Sequence, residues 1–168
     1  VTSIDTLLSY PVVMMCGVSG AGKTFIARQL EAEGYERLSP DRIVWNRYGH
    51  AYAELSPAER HDIYMAAIDS LTARLPELIA SGRRVVIDCS MCKRRRRDAV
   101  ASICATAGIS SVIAYLTAPR EVLERRLSER GDTGPDDQTV SQTDLNRFLA
   151  GFEAPMPDEH FITVNSGL

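Results

Sequence analysis

The residues with the clearest chemical capacity are Gly17, Gly22, Lys23 and Thr24 in the stretch P-V-V-M-M-C-G-V-S-G-A-G-K-T from Pro11 to Thr24. They fill the G-x-x-x-x-G-K-[ST] template without mismatch. The small residues Gly17, Ser19, Gly20, Ala21 and Gly22 let a turn wrap a phosphate with successive backbone N–H groups pointing inward. A helix beginning at about Gly22 adds the positive end of its dipole to the same place. Lys23 supplies a compact charge for the outer phosphates, and the Thr24 hydroxyl can ligate Mg²⁺. Lys23 and Lys93 are the only lysines in a chain that otherwise uses arginine. A planar guanidinium does not replace an ammonium inside a phosphate loop, so Lys23 reads as chemically required. The glycine spacing G-x-x-G-x-G speaks against a dinucleotide fold.

Two carboxylates stand where such a loop would use them. Asp41 follows the second strand, Tyr35 to Ser39, at the edge of the sheet where the loop lies. Its competing role is helix entry, because Ser39-Pro40-Asp41 is also a good cap sequence. Asp88 ends the run R-V-V-I-D and could hold Mg²⁺ beside Thr24, or merely terminate a strand. Arg126 and Arg130 lie four apart on one helical face and Arg125 on another, with Glu121, Glu124 and Glu129 available as ion-pair partners. The run Lys93 to Arg97 could track a nucleic-acid backbone, but helical geometry scatters its charges and no aromatic partners lie nearby. Cys89-Ser-Met-Cys92 formally suits a redox dithiol.

The elements that must position these groups alternate. Val12 to Cys16 reads as a strand buried on both faces, and a helix from about Gly22 ends near Gly34. Tyr35 to Ser39 is a second strand. Ser56 and Pro57 start a helix that runs towards Leu78, with Pro76 expected to kink or divide it. Arg84 to Asp88 is a third strand, and a basic helix runs from about Lys93 to Gly108. Ser111 to Leu116 is a fourth strand, and Pro119 opens an arginine-rich helix through Arg130 followed by a polar, lid-like stretch. A helix over about Ser141 to Phe152 and a strand over about Phe161 to Val164 complete the order. Such alternation specifies an α/β domain with a parallel sheet, whose ligands bind at the C-terminal strand ends.

A chain of 168 residues with net charge −3 suits one domain and does not advertise nucleic acid or an anionic membrane. The apolar stretch before Gly17 is too short to span a bilayer and runs into the loop. The four cysteines, Cys16, Cys89, Cys92 and Cys104, read as reduced cytoplasmic thiols. The histidines show no metal or triad spacing, and neither a guanine-reading N-K-x-D signature nor room for an extra ring-ATPase sensor domain is present.

The segments G-V-S-G-A-G-K-T, R-L-S-P-D-R-I-V-W, V-V-I-D-C-S-x-x-x-R-x-x-R-D, A-P-R-E-V-L-E-R-R-L-S-E-R and D-L-N-R-F-L-A-G-F-E-A-P span nearly the whole chain. With them the chain resembles the small P-loop kinases that include gluconokinase, chloramphenicol phosphotransferase, zeta toxins and polynucleotide 5′-hydroxyl kinases. Within that group it looks most like bacterial kinase-like ATP-binding proteins, and it lacks the H-P-x-x-N element of gluconokinase. The resemblance implies a P-loop NTPase fold: a five-stranded parallel sheet between helices, a single domain over 1–168 and an arginine-rich lid over roughly 119–140.

It further implies transfer of the γ-phosphate of ATP (GTP remaining open), with Mg²⁺, to a hydroxyl of a sugar acid, nucleoside or antibiotic, so that antibiotic resistance stays in view. By the same resemblance Asp41 deprotonates the acceptor, and Arg126 and Arg130, with Arg125 on the nucleotide, clamp the phosphates. Arg42, Arg94 and Arg97 are the further acceptor-side candidates. Trp45 either walls that pocket or anchors the core. A cytoplasmic monomer or homodimer is expected, with a 5′-hydroxyl polynucleotide kinase or a non-catalytic regulatory module as the other readings.

Overall fold

Strand β1 (Val12–Cys16) is five consecutive apolar residues, all buried. A run without alternation needs cover on both faces, and the chain supplies it. In the computed structural model, which describes residues 4–164, β1 is the centre of a five-stranded sheet. The outermost positions of the expected 1–168 domain lie outside the described residues. The order is β2-β3-β1-β4-β5, every pairing parallel, with β2 at Glu36–Leu38, β3 at Val85–Ile87, β4 at Ser111–Leu116 and β5 at Phe161–Val164. Parallel neighbours require crossovers, and the helices that make them cover the two faces.

Val13 and Met15 point to one face and pack with Leu7 of α1 (Ile4–Leu7), with Ile26, Ala27 and Leu30 of α2 (Lys23–Ala32), and with Val86 and Val112. Val12, Met14 and Cys16 point to the other. There, beyond α3 (Pro40–Tyr48) and a 3₁₀ turn (Gly49–Glu54), Leu71 and Leu75 of α4 (Pro57–Ala80) and Val100 and Cys104 of α5 (Arg94–Thr106) complete a second core. Two helices remain, α6 (Arg120–Ser128), whose Leu123 joins the first core, and α7 (Gln142–Gly151).

Two expectations are corrected. Pro76 does not divide α4, which runs unbroken from Pro57 to Ala80. It sits in the helix's last turns, where Leu75 before it is fully buried and Leu78 and Ile79 after it pack on the same core. That burial outweighs one lost backbone bond. The arginine-rich helix stops at Ser128, two residues short of Arg130.

The start of α4 is set by a complete capping box: Ser56 Oγ accepts from the Glu59 N–H, and Glu59 accepts from the Ser56 N–H at 2.9 Å. Ser56→Ala removes the first of these bonds at an exposed site. A loss of about 1 kcal/mol, read as a melting-point fall of about 2–4 °C, is the expected result.

Candidate active site

Parallel pairing brings the C-terminal ends of β1, β2, β3 and β4 to one edge of the sheet. The loop after β1 turns there because its glycines allow it. A Cβ on Gly17 would meet the Leu116 carbonyl oxygen at 2.5 Å, so β4 presses directly on the loop. Gly22, at φ 97°, adopts a left-handed conformation as the N-cap of α2, which leaves the helix N–H groups open to the loop. Lys23 folds back deep in the cleft and donates from Nζ to the Val18 carbonyl at 2.9 Å. Burial lowers its pKa, and the carboxylates of Asp88 and Asp41 oppose that fall.

Thr24 Oγ1 lies 3.3 and 3.4 Å from the two oxygens of Asp88, which follows β3. A hydroxyl and a carboxylate so close form a hard-oxygen donor pair suited to Mg²⁺ shared with phosphate. Among the described residues no three His, Cys, Asp or Glu side chains group as a metal site by themselves.

Asp41 stands at the opening of α3, immediately after β2. The cap of that helix is Ser39, whose Oγ accepts from the Arg42 N–H at 3.3 Å. Capping therefore falls to Ser39, and the Asp41 carboxylate makes no hydrogen bond among the described residues. Burial pushes its pKa up to about 7. Asp88 adds to the rise, Lys23 opposes it, and the weaker influences of Asp136 and Arg130 follow with opposite signs.

From the other side, Arg126 and Arg130 line the same cavity as Gly20, Gly22, Lys23 and Thr24. Arg126 Nη1 donates to the Gly20 carbonyl and Arg130 Nη1 to the Gln138 carbonyl, both at 2.9 Å. Arg125 is exposed and does not line the cavity.

The remaining candidates have other partners. Arg42 is held bidentate by Glu31 at 2.8 and 3.0 Å. Arg94, expected at the acceptor, pairs with Asp158 and Asp98. Arg97, expected there too, is turned into the fold, 1 % exposed. Its three guanidinium nitrogens bind Glu159 and the carbonyls of Met91 and Glu153, so it pins the segment after α7 to α5. Lys93 and Arg96 pair with Glu153 and Asp69, so the basic run is dispersed over separate acids. Trp45 is half-buried and packs edge-on against His50, whose Nδ1 lies 3.2 Å from Asp132. Burial pushes the thiol of Cys89 up to about 12, which removes the thiolate a redox Cys-x-x-Cys would need.

Sequence reasoning missed Arg37. Its side chain on β2 is fully buried and joins Asp88, at 2.8 Å from Nε, to Asp136 of the polar segment, at 2.6 Å from Nη2. Burial alone would raise the Asp136 pKa, but hydrogen bonds from Arg37 and Arg28 outweigh it and hold the carboxyl below its usual range. Arg37 thus orients the Asp88 carboxylate and ties the segment after α6 to the sheet. Arg37→Met leaves the buried Asp88 without its cation and Asp136 with Arg28 alone, and a loss of about 3–5 kcal/mol in denaturant unfolding is expected.

Residues 12–155 match the family described as an AAA domain. Among solved structures, a sugar kinase from Janibacter sp. is 25 % identical, with a TM-score of 0.65 over 94 % of this chain and 86 % of its own. A gluconokinase from Sinorhizobium meliloti is 24 % identical, with a TM-score of 0.62 over 95 % of this chain and 85 % of its own. Kti12 from Chaetomium thermophilum, in complex with ADP-AlF3, is 19 % identical, with a TM-score of 0.67 over 92 % of this chain and 88 % of its own. The last two likenesses show the fold, a P-loop arrangement of five parallel strands between helices. No curated protein matches the chain in sequence.

Proposed function

The chain belongs to this AAA-domain family of P-loop proteins, and from that premise we propose that it is an ATP-dependent phosphotransferase acting on a hydroxyl of a small molecule. The observation that carries the reading is the Asp41 carboxylate, without a hydrogen-bond partner among the described residues and freed from capping by Ser39, close enough to Lys23 and Arg130 for both charges to act on it. The likeness to the Janibacter sugar kinase and the Sinorhizobium gluconokinase supports it.

In this reading the loop N–H groups and Lys23 hold the β- and γ-phosphates. Thr24 would hold Mg²⁺, with Asp88 beside it fixed by Arg37, and the ion would supply charge neutralisation on the phosphate oxygens. Asp41 orients the acceptor hydroxyl and takes its proton. The acceptor oxygen bonds to the γ-phosphorus as the bond to the β,γ-bridging oxygen breaks, and ADP departs with that electron pair. Arg126 and Arg130 face the charge that spreads over the transferred group, as a lid must. The paired state of Lys93, Arg94, Arg96 and Arg97 favours a small acceptor over a polynucleotide.

Transfer from γ-labelled ATP into pooled sugar acids, sugar phosphates, nucleosides, antibiotics and a 5′-hydroxyl oligonucleotide tests this. Label in a small acceptor is the expected result. ATP hydrolysis alone, with no acceptor labelled, would move the protein to a regulatory nucleotide-binding role.

A further inference from the structure

The face of α4 that meets the sheet changes character along its length. Leu75, Leu71 and Ile68 are buried against the second core. The next positions on the same face, at helical steps of four, are Tyr64 and Arg60. The face therefore turns from apolar to polar as it passes from under the sheet toward the side where Asp41 lies. Tyr64 is partly exposed, yet its phenol is deep: burial pushes its pKa well up, and Asp41 is the charge that adds most. Its hydroxyl makes no hydrogen bond among the described residues.

Arg60 is the sharper anomaly. Its Nε is buried without a hydrogen-bond partner. The guanidinium makes no ion pair among the described residues, and its Nε is the one buried side-chain nitrogen or oxygen left without a partner among them. Tyr52 Oη donates to the Arg60 carbonyl at 2.9 Å and so fixes the backbone that carries it. A buried guanidinium nitrogen without an acceptor is costly and calls for an anion.

Resting on the kinase reading above, we infer that Arg60 and Tyr64 form an anion-binding subsite for the acceptor, which carries a carboxylate or phosphate group besides the hydroxyl presented to Asp41. The subsite separates the acceptor classes: an acidic sugar derivative satisfies Arg60, whereas a neutral nucleoside leaves it unpaired and a cationic aminoglycoside repels it.

The test uses acceptors matched except for charge, an aldonate against its alditol and a sugar phosphate against the free sugar, with wild type, Arg60→Gln, Arg60→Lys and Tyr64→Phe. Label is expected in an acidic member. Arg60→Gln should raise the KM for that acceptor about 10- to 100-fold while leaving the KM for ATP unchanged, with partial rescue in Arg60→Lys. Aldonate and sugar phosphate arms tell the two anion sources apart. Label in neutral or cationic acceptors with a KM that Arg60→Gln does not move overturns the subsite and leaves the kinase reading standing. If no acceptor is labelled, the kinase reading falls, and inorganic phosphate with the MgADP-bound protein decides the subsite alone. A rise in melting temperature in wild type that Arg60→Gln abolishes supports it, and equal shifts in both overturn it.

Discussion

Lys23→Arg should lower the rate of phosphate transfer at least about a thousandfold, although it conserves the charge. The loop explains the asymmetry. Nζ reaches the Val18 carbonyl at 2.9 Å from deep within a turn that cannot widen, because the Leu116 carbonyl presses on Gly17 and Leu123 and Leu127 stand 3.3–3.4 Å from a Cβ placed on Gly20. An ammonium donates in three directions from a single point, and it fits there. A guanidinium is planar and wider, and its fork cannot enter without displacing one of those contacts. Nucleotide affinity measured with a fluorescent ATP analogue should fall as well, while the circular dichroism melt stays within a few degrees of wild type. Retention of transfer within about threefold would mean that charge alone suffices and that the loop is looser than its contacts indicate.

How much of this was legible depended on the distance in sequence over which each feature is determined. The phosphate loop was readable because strand, turn and helix start lie within Pro11 to Thr24, and each residue type has a local reason. The sheet followed from the same logic applied five times. Asp41 was ambiguous because a helix start and a catalytic carboxylate ask for the same residue type; only the bond from the Arg42 N–H to Ser39 shows which residue caps the helix. Arg37 left no trace, since a three-residue strand has no period and its partners are 51 and 99 positions away. Arg97 did leave one. In a run of four arginines it alone stands three and seven residues before the buried Val100 and Cys104, a spacing that places it on the inner face of α5. Arg60 carries the same kind of signal, two helical steps beyond the apolar face of α4.

Asp41→Asn should reduce kcat by about a hundred- to ten-thousandfold with the KM for ATP little changed, because the amide keeps the shape but cannot accept the acceptor's proton. The pH dependence separates this role from a merely structural one. Transfer requires the ionised carboxylate, whose pKa burial pushes up to about 7, so wild-type kcat/KM should climb as pH rises from 6 to 8 and the residual activity of the variant should lack that limb. Stability moves the opposite way. A carboxyl whose pKa is higher folded than unfolded binds the more protons in the folded state, so between about pH 4 and 7 folding weakens as pH rises. The variant escapes that penalty. It should therefore melt above wild type at pH 8, with the gap closing toward pH 4, and a protein made more stable by the change that stops its chemistry would mark Asp41 as placed for reaction and not for folding. A variant that melts below wild type at every pH, with the activity limb intact, would return Asp41 to the helix and leave the proton without an acceptor.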